Sequence, residues 1–214
     1  LALPLVQRSD LVDGTFHDTR SDDVFEMGDG RDTAYVSGWG SDVVRVFTGD
    51  GEDSVVVEGG GSPALKGQIR LGADVDLASV SFNFLNGDAL IQYGETDQLT
   101  IDTDTVVTHL DNVLGRFTVV SESDPDWIPT IRAVGYVGEL HGSFGADYLV
   151  GNANAEIIVP GYGDDLVQAG AGPDWIVMND LYMYQAQHGI GHKSLSGGAG
   201  NDTLLAPLHQ GLEF

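Results

Sequence analysis

The 214-residue chain contains no cysteine. This excludes a disulfide framework and thiol catalysis, and it suits a chain exported unfolded. Basic residues are scarce, with 9 Lys and Arg against 33 Asp and Glu, for a formal net charge of -24 at pH 7. Such a balance argues against nucleic acid and anionic membrane surfaces as partners and favours cations; the plainer alternative is an acid-rich soluble surface, as in halophiles. No apolar run is long enough to span a membrane. The opening residues Leu1-Ala2-Leu3-Pro4-Leu5-Val6 lack an initiator Met and a basic stretch, so they read as a cut end rather than a signal peptide.

Catalytic signatures are missing as well. There is no HExxH, and none of the histidines at 17, 109, 141, 188, 192 and 209 adjoins a GxSxG elbow. His188 and His192 have the spacing of a zinc pair on a helix, but Gly189 and Gly191 make that helix poor. GxGxxG-like strings occur without the strand and helix of a nucleotide fold around them. The chain reads as non-catalytic, with a carboxylate pair of the glycosidase kind as the one chemistry left open by so many acids.

Glycine, by contrast, is abundant: 30 residues, about twice the usual frequency. Its placement is periodic. Residues 142 to 177 divide into GSFGADYLV, GNANAEIIV, PGYGDDLVQ and AGAGPDWIV, with an acid at the sixth place (Asp147, Glu156, Asp165, Asp174) and an apolar residue two places later (Leu149, Ile158, Val167, Ile176). Small, flexible residues at the front of each unit must turn, and the β-formers at its end suit a very short strand whose middle side chain points inward. Two units make a coil of about eighteen residues, so alternate units stack. Asp147 then lies over Asp165, and Glu156 over Asp174. Carboxylates roughly 4.8 Å apart repel unless a cation lies between them. A hard divalent ion that takes six to eight oxygens resolves the repulsion, and calcium is the natural candidate.

Ser196-Gly197-Gly198-Ala199-Gly200-Asn201-Asp202-Thr203-Leu204-Leu205 contains the pattern GGxGxDxUx complete. In these residues the chain resembles the calcium-binding nonapeptide repeats of the repeats-in-toxin (RTX) family over roughly half its length. The resemblance implies an all-β fold built on a right-handed parallel β-roll. It also implies calcium held between turns by Asp side chains and turn carbonyls, and type I secretion.

Taken in order, residues 1–17 are expected to cover the first coil. Residues 18–58 form a first repeat block whose closing aspartates, Asp23, Asp32, Asp42 and Asp53, predict same-side pairs Asp23 with Asp42 and Asp32 with Asp53. The nonapeptide phase vanishes over 59–140. There the alternation in Val80-Ser81-Phe82-Asn83-Phe84, the Asn86-Gly87 turn and the return at 89–93 predict an antiparallel meander with further strands at 98–101, 105–110, 116–120 and 131–137. Such a region would cap or interrupt the roll. Asp124-Pro125-Asp126-Trp127 reads as a turn. The second block spans 141–206 with an insertion at 178–195, and 207–214 is a tail. Trp39, Tyr162 and Trp175 fall near repeat turns, where they would pack on a neighbouring coil or, if exposed, stack on sugars.

The expected side-chain ligands are Asp32, Asp42, Asp53, Asp147, Asp165, Asp174 and Asp202, with Asp23 and Glu156 weaker because their turns have lost glycines. Carbonyls of the turn glycines, Gly28, Gly30, Gly38, Gly40, Gly49, Gly51, Gly145, Gly161, Gly163, Gly170, Gly172, Gly198 and Gly200, complete the shells. The expected function is calcium-dependent folding of a module, monomeric, within a larger secreted or surface protein. Two other readings stand beside it: a glycan-binding or protein-binding adhesin module, and the non-catalytic carboxy-terminal part of a secreted protease, lipase or polysaccharide-modifying enzyme.

Overall fold

The computed structural model describes residues 5–8, 13–19, 21–36, 40–57, 67–85, 88–103, 117–133, 138–178 and 191–206. Among them there is no helix, and nineteen short strands form four sheets that are mostly parallel.

Apart from β8, β9 and β10, which share a sheet, strands next to each other in sequence fall in different sheets. The first sheet holds β1 (Leu5–Arg8), β3 (Asp23–Glu26), β5 (Val43–Val46), β7 (Gly67–Leu71) and β11 (Phe117–Ser121) in that order. The second runs β2 (Thr15–His17), β4 (Thr33–Val36), β6 (Glu52–Val57), β10 (Gln98–Thr103), β9 (Asp88–Gln92), β8 (Ser81–Leu85). Further along the chain the pattern restarts. β12 (Thr130–Arg132), β14 (Tyr148–Val150), β16 (Asp165–Gln168) and β18 (Lys193–Ser196) make the third sheet. β13 (Glu139–His141), β15 (Ile157–Val159), β17 (Trp175–Val177) and β19 (Thr203–Leu205) make the fourth.

Register explains why this sequence adopts that order. Side chains two apart on a strand point the same way, so the apolar residue two places after each acid lines up with its counterpart on the next strand. One row runs Phe25, Val44, Ile69, Val119 and another Phe16, Ala34, Val55, Ile101. The later sheets carry Ile131, Leu149, Val167, Leu195 and Leu140, Ile158, Ile176, Leu204. Residues of all four sheets belong to one continuous buried cluster. The two stacks meet where the Phe84 and His141 rings lie 5.4 Å apart and the Phe144 amide donates to the Phe117 carbonyl.

The expected meander over 59–140 is found only in part. Antiparallel pairing among the described residues is confined to β8 with β9 and β9 with β10. β7 and β10 instead pair in parallel with β5 and β6 of the first block, and β11 pairs in parallel with β7. These strands lack the phased acid and turn glycines of the repeat but keep the alternation of inward residues, as in Gly67–Ile69–Leu71 and Leu99–Ile101. Parallel pairing needs only that alternation, so loss of the nonapeptide spacing did not interrupt the sheets. The Asn86-Gly87 turn, the strand at 105–110, most of the 178–195 insertion and the tail lie outside the described residues. Asp124–Trp127 is a turn, closed by the Trp127 amide on the Asp124 carbonyl at 3.2 Å.

Candidate metal sites

The acid of each unit points inward for the same reason as the apolar residue that follows it: the two are two residues apart, with the acid in the strand or immediately before it. Asp23, Asp32, Asp42, Asp53, Asp147, Glu156, Asp165 and Asp174 are accordingly at most 3 % exposed. They stack in the predicted pairs. In one pair after another, the upper carboxylate accepts the backbone N–H of the acid on the coil below. Asp23 N donates to Asp42 Oδ1 (3.1 Å), Asp32 N to Asp53 Oδ1 (2.9 Å) and Asp147 N to Asp165 Oδ1 (3.0 Å). Glu156 N donates to Asp174 Oδ1 (3.0 Å), and Asp174 N to Asp202 Oδ1 (3.1 Å).

Second oxygens are satisfied from the acid's own turn where the turn offers a donor. Asp32 Oδ2 accepts Gly28 N at 2.8 Å, Asp23 Oδ2 accepts Thr19 N and Oγ1, and Glu156 Oε2 accepts Asn152 N at 3.3 Å. Five buried carboxylate oxygens nevertheless have no hydrogen-bond partner among the described residues: Asp23 Oδ1, Asp42 Oδ2, Asp53 Oδ2, Glu156 Oε1 and Asp174 Oδ2. The Tyr93 hydroxyl lies near Asp53 without closing a hydrogen bond to it. An unpaired buried carboxylate oxygen is costly, typically several kcal/mol for an uncompensated charge. Burial raises the Asp42 and Asp53 carboxyls to about 7, against backbone hydrogen bonds that lower them, and the neighbouring carboxylates raise them further. Glu156 is raised by burial and by Asp174.

Turn carbonyls lie close to the glycines of the next coil. Gly51 (φ +101) bridges to Gly30, and a Cβ there would collide with the Gly30 carbonyl oxygen. Gly163 (φ +95) sits in the same way over the Gly145 carbonyl. Glycine is required where turn carbonyls approach the next coil this closely. Gly40, Gly49, Gly161, Gly170, Gly172, Gly198 and Gly200 share the positive φ, whereas Gly28 and Gly145 do not. Gly38 and Trp39 lie outside the described residues. No three of His, Asp and Glu converge among the described residues. Any cation here would rest on one or two carboxylates plus carbonyls, an all-oxygen donor set suited to a hard divalent ion.

The columns have ends that the sequence did not announce. One position before the Val43 to Gln68 pairing, Asp42 meets Gly67, whose missing side chain leaves room for the Phe117 ring. Asp53 is followed by Leu99. Asp202 closes its column on the exposed side. Asp50 and Asp97, outside the predicted set, are also buried; Asp50 Oδ2 accepts Phe47 N (2.7 Å) and Asp97 Oδ2 accepts Gly49 N (2.9 Å). Burial lifts Asp50 to about 7, and the Asp97 and Asp74 charges add to the rise.

The Asp147–Asp165 column differs from the rest. Asp147 is paired with the Ser143 amide (2.6 Å) and hydroxyl, and burial raises it to about 8 despite them. Asp165 Oδ2 accepts the Lys193 ammonium at 2.6 Å. Lys193 stands opposite Asp165 in register, at the place of the next acid. The 178–195 insertion therefore hides a repeat unit, Gly189-Ile190-Gly191-His192-Lys193-Ser194-Leu195, with Lys in place of Asp. Its signal was available, since Lys193 precedes Asp202 by nine residues, but a search for acids passes over it.

Trp175 is 50 % exposed on the outer face of β17 rather than packed between coils. A cleft of about 350 Å³, bordered by Leu77, Val80, Phe82, Trp127, Thr130 and Arg132, lies beside β8 and β12; none of the unpartnered buried oxygens opens into it. No family model matches the chain, and comparison with curated proteins finds no significant match.

Proposed function

We propose that the chain is a calcium-binding parallel β-roll of the RTX type whose folding is completed by the ion. One observation carries this reading: the five buried carboxylate oxygens without partners, all at the acid place of the repeat and distributed over three stacked columns. The alternation of successive strands between paired parallel sheets supports the roll, and the glycine turns with close carbonyls support a shared oxygen shell.

Asp23 and Asp42, Asp32 and Asp53, and Glu156, Asp174 and Asp202 would hold the ions, with turn carbonyls beside them. Calcium, when bound, supplies the positive charge that keeps these carboxylates ionised inside the fold. Without it, the carboxylates repel, and strands of three or four residues bury too little apolar surface to offset that repulsion. Any ligand that binds only the folded chain adds its binding free energy to folding. Sites of extracellular affinity, on the order of 10⁻⁴ to 10⁻³ M, stay empty in a cytosol and fill outside it. The chain would then be a secreted or cell-surface module that folds after export, part of a larger protein.

Far-UV circular dichroism during calcium titration of the EDTA-stripped chain tests this. The expected result is a cooperative gain of β signal that magnesium does not reproduce. An unchanged spectrum in EDTA, together with no calcium uptake by calorimetry, would sink the proposal.

A further inference from the structure

Among the described residues, Arg8, Arg31 and Arg45 form their ion pairs with Glu26, Glu52 and Glu122, acids outside the columns with unpartnered carboxylate oxygens, whereas the one column without such oxygens contains an ion pair. In that column, the Lys193 ammonium donates to Asp165 Oδ2 and to the Gly163 carbonyl, both at 2.6 Å. A carboxylate and a turn-glycine carbonyl are the two kinds of oxygen that the other columns offer to a metal. The ammonium is buried with its partner, at 5 % and 0 % side-chain exposure. On the far side, Ser143 occupies both oxygens of Asp147, and Asp165 Oδ1 holds the Asp147 amide. No oxygen of either carboxylate is left over.

We infer that Lys193 is the resident cation of the Asp147–Asp165 column, so that this column is closed by the chain itself and takes no metal. A Lys ammonium suits the task because it is a compact point charge on a flexible stem with three donors. It reaches the column because strand pairing puts β18 directly on β16. β18 thus brings to the sheet a unit whose acid place is cationic. These turns would be held together before any ion arrives and would offer a formed edge on which the metal-dependent units assemble. The inference rests on the cation-binding reading for the other columns, but its own readout in EDTA does not.

Calcium stoichiometry by titration calorimetry and melting in EDTA, on the full chain, test it together. Asp165→Asn is expected to leave the number of ions unchanged, while Asp174→Asn loses at least one. Lys193→Met is expected to gain one ion and, in EDTA, to melt roughly 10 °C lower than the parent chain, because a buried carboxylate has lost its partner. A lost ion in Asp165→Asn, or a Lys193→Met chain with the parent's stoichiometry and the parent's melting in EDTA, would overturn the inference. Should Lys193→Met fail to fold, the Asp165→Asn count decides. If no variant binds calcium, the proposed function fails, and a low melting point of Lys193→Met in EDTA still upholds the pairing role.

Discussion

The two stacks of strands use one repeat rule to different ends. In the first, strands run to five and six residues, and β6 alone sends Val55 and Val57 inward beside Asp53. In the second, most strands have three residues and contribute about one fully inward apolar side chain each, such as Leu149 or Ile176. Burying a Val, Leu or Ile contributes roughly 1.5–3 kcal/mol, so a coil of the first stack has about twice the apolar support. The first stack is also finished on one side by the β8–β9 hairpin and by Phe117 and Leu99 over its acids, whereas the second ends on β19 with Leu204 54 % exposed. A stack rich in apolar side chains is expected to tolerate unpaired carboxylates better than a stack of short strands and turns.

Removing calcium should separate the stacks most clearly. Hydrogen exchange in EDTA is expected to open the amides of β15, β17 and β19 first while β6, β7, β10 and β11 stay protected. Equal loss in both stacks would remove the distinction. Next in size, Ile69→Ala should destabilise by about 2–5 kcal/mol with or without calcium, since it leaves a cavity in the filled stack. A denaturant melt in both conditions checks this, and a calcium-dependent penalty would mean that the first stack also leans on the ion.

Asp42→Asn is expected to reverse sign with conditions. It removes a buried, partly unpaired charge, so it should stabilise the metal-free chain by about 1–3 kcal/mol and destabilise the calcium-loaded one. The same sign in both would count against a cation at Asp42. The pH dependence follows from the same groups. Asp42 and Asp53 stand at about 7 in the fold against 3.8 ordinarily, so the fold takes up protons that the open chain releases. Their stabilisation of the metal-free chain is full below about pH 4 and is lost as pH rises through 7. Melting in EDTA should therefore fall between pH 4 and 8, and calcium should flatten or invert the trend. The smallest effect is expected from Arg31→Ala, which removes an exposed ion pair with Glu52 (2.7 Å) and should cost less than about 1 kcal/mol in either condition; a larger loss would mean that surface charge, not the buried columns, governs this region.

The spacing of Asp147, Glu156, Asp165 and Asp174 was enough to foretell which acids stack, because a fixed period makes every coil the same length and leaves no freedom in pairing. It also foretold that those acids are inside, since each is two residues from an apolar partner. Where the period drifted, between Asp32 and Asp53, the pairing still followed, because the turn residues re-set the register at each coil. The region after Gly59 was read less well. Its strands join the parallel sheets on the strength of alternation alone, a signal that does not distinguish parallel from antiparallel neighbours.

Sequence by itself determined the phase of this molecule: which side chains point inward, which turns need glycine, and which acids share a side. Tertiary structure alone decided what each column meets at its ends. Phe117 over Gly67, Leu99 over Asp53 and Lys193 against Asp165 are neighbours 28 to 50 residues apart in sequence, separations that follow no period. The local rule repeats, but whether a buried carboxylate faces an apolar lid, an ammonium or an unfilled oxygen shell depends on which distant strand the sheet places next.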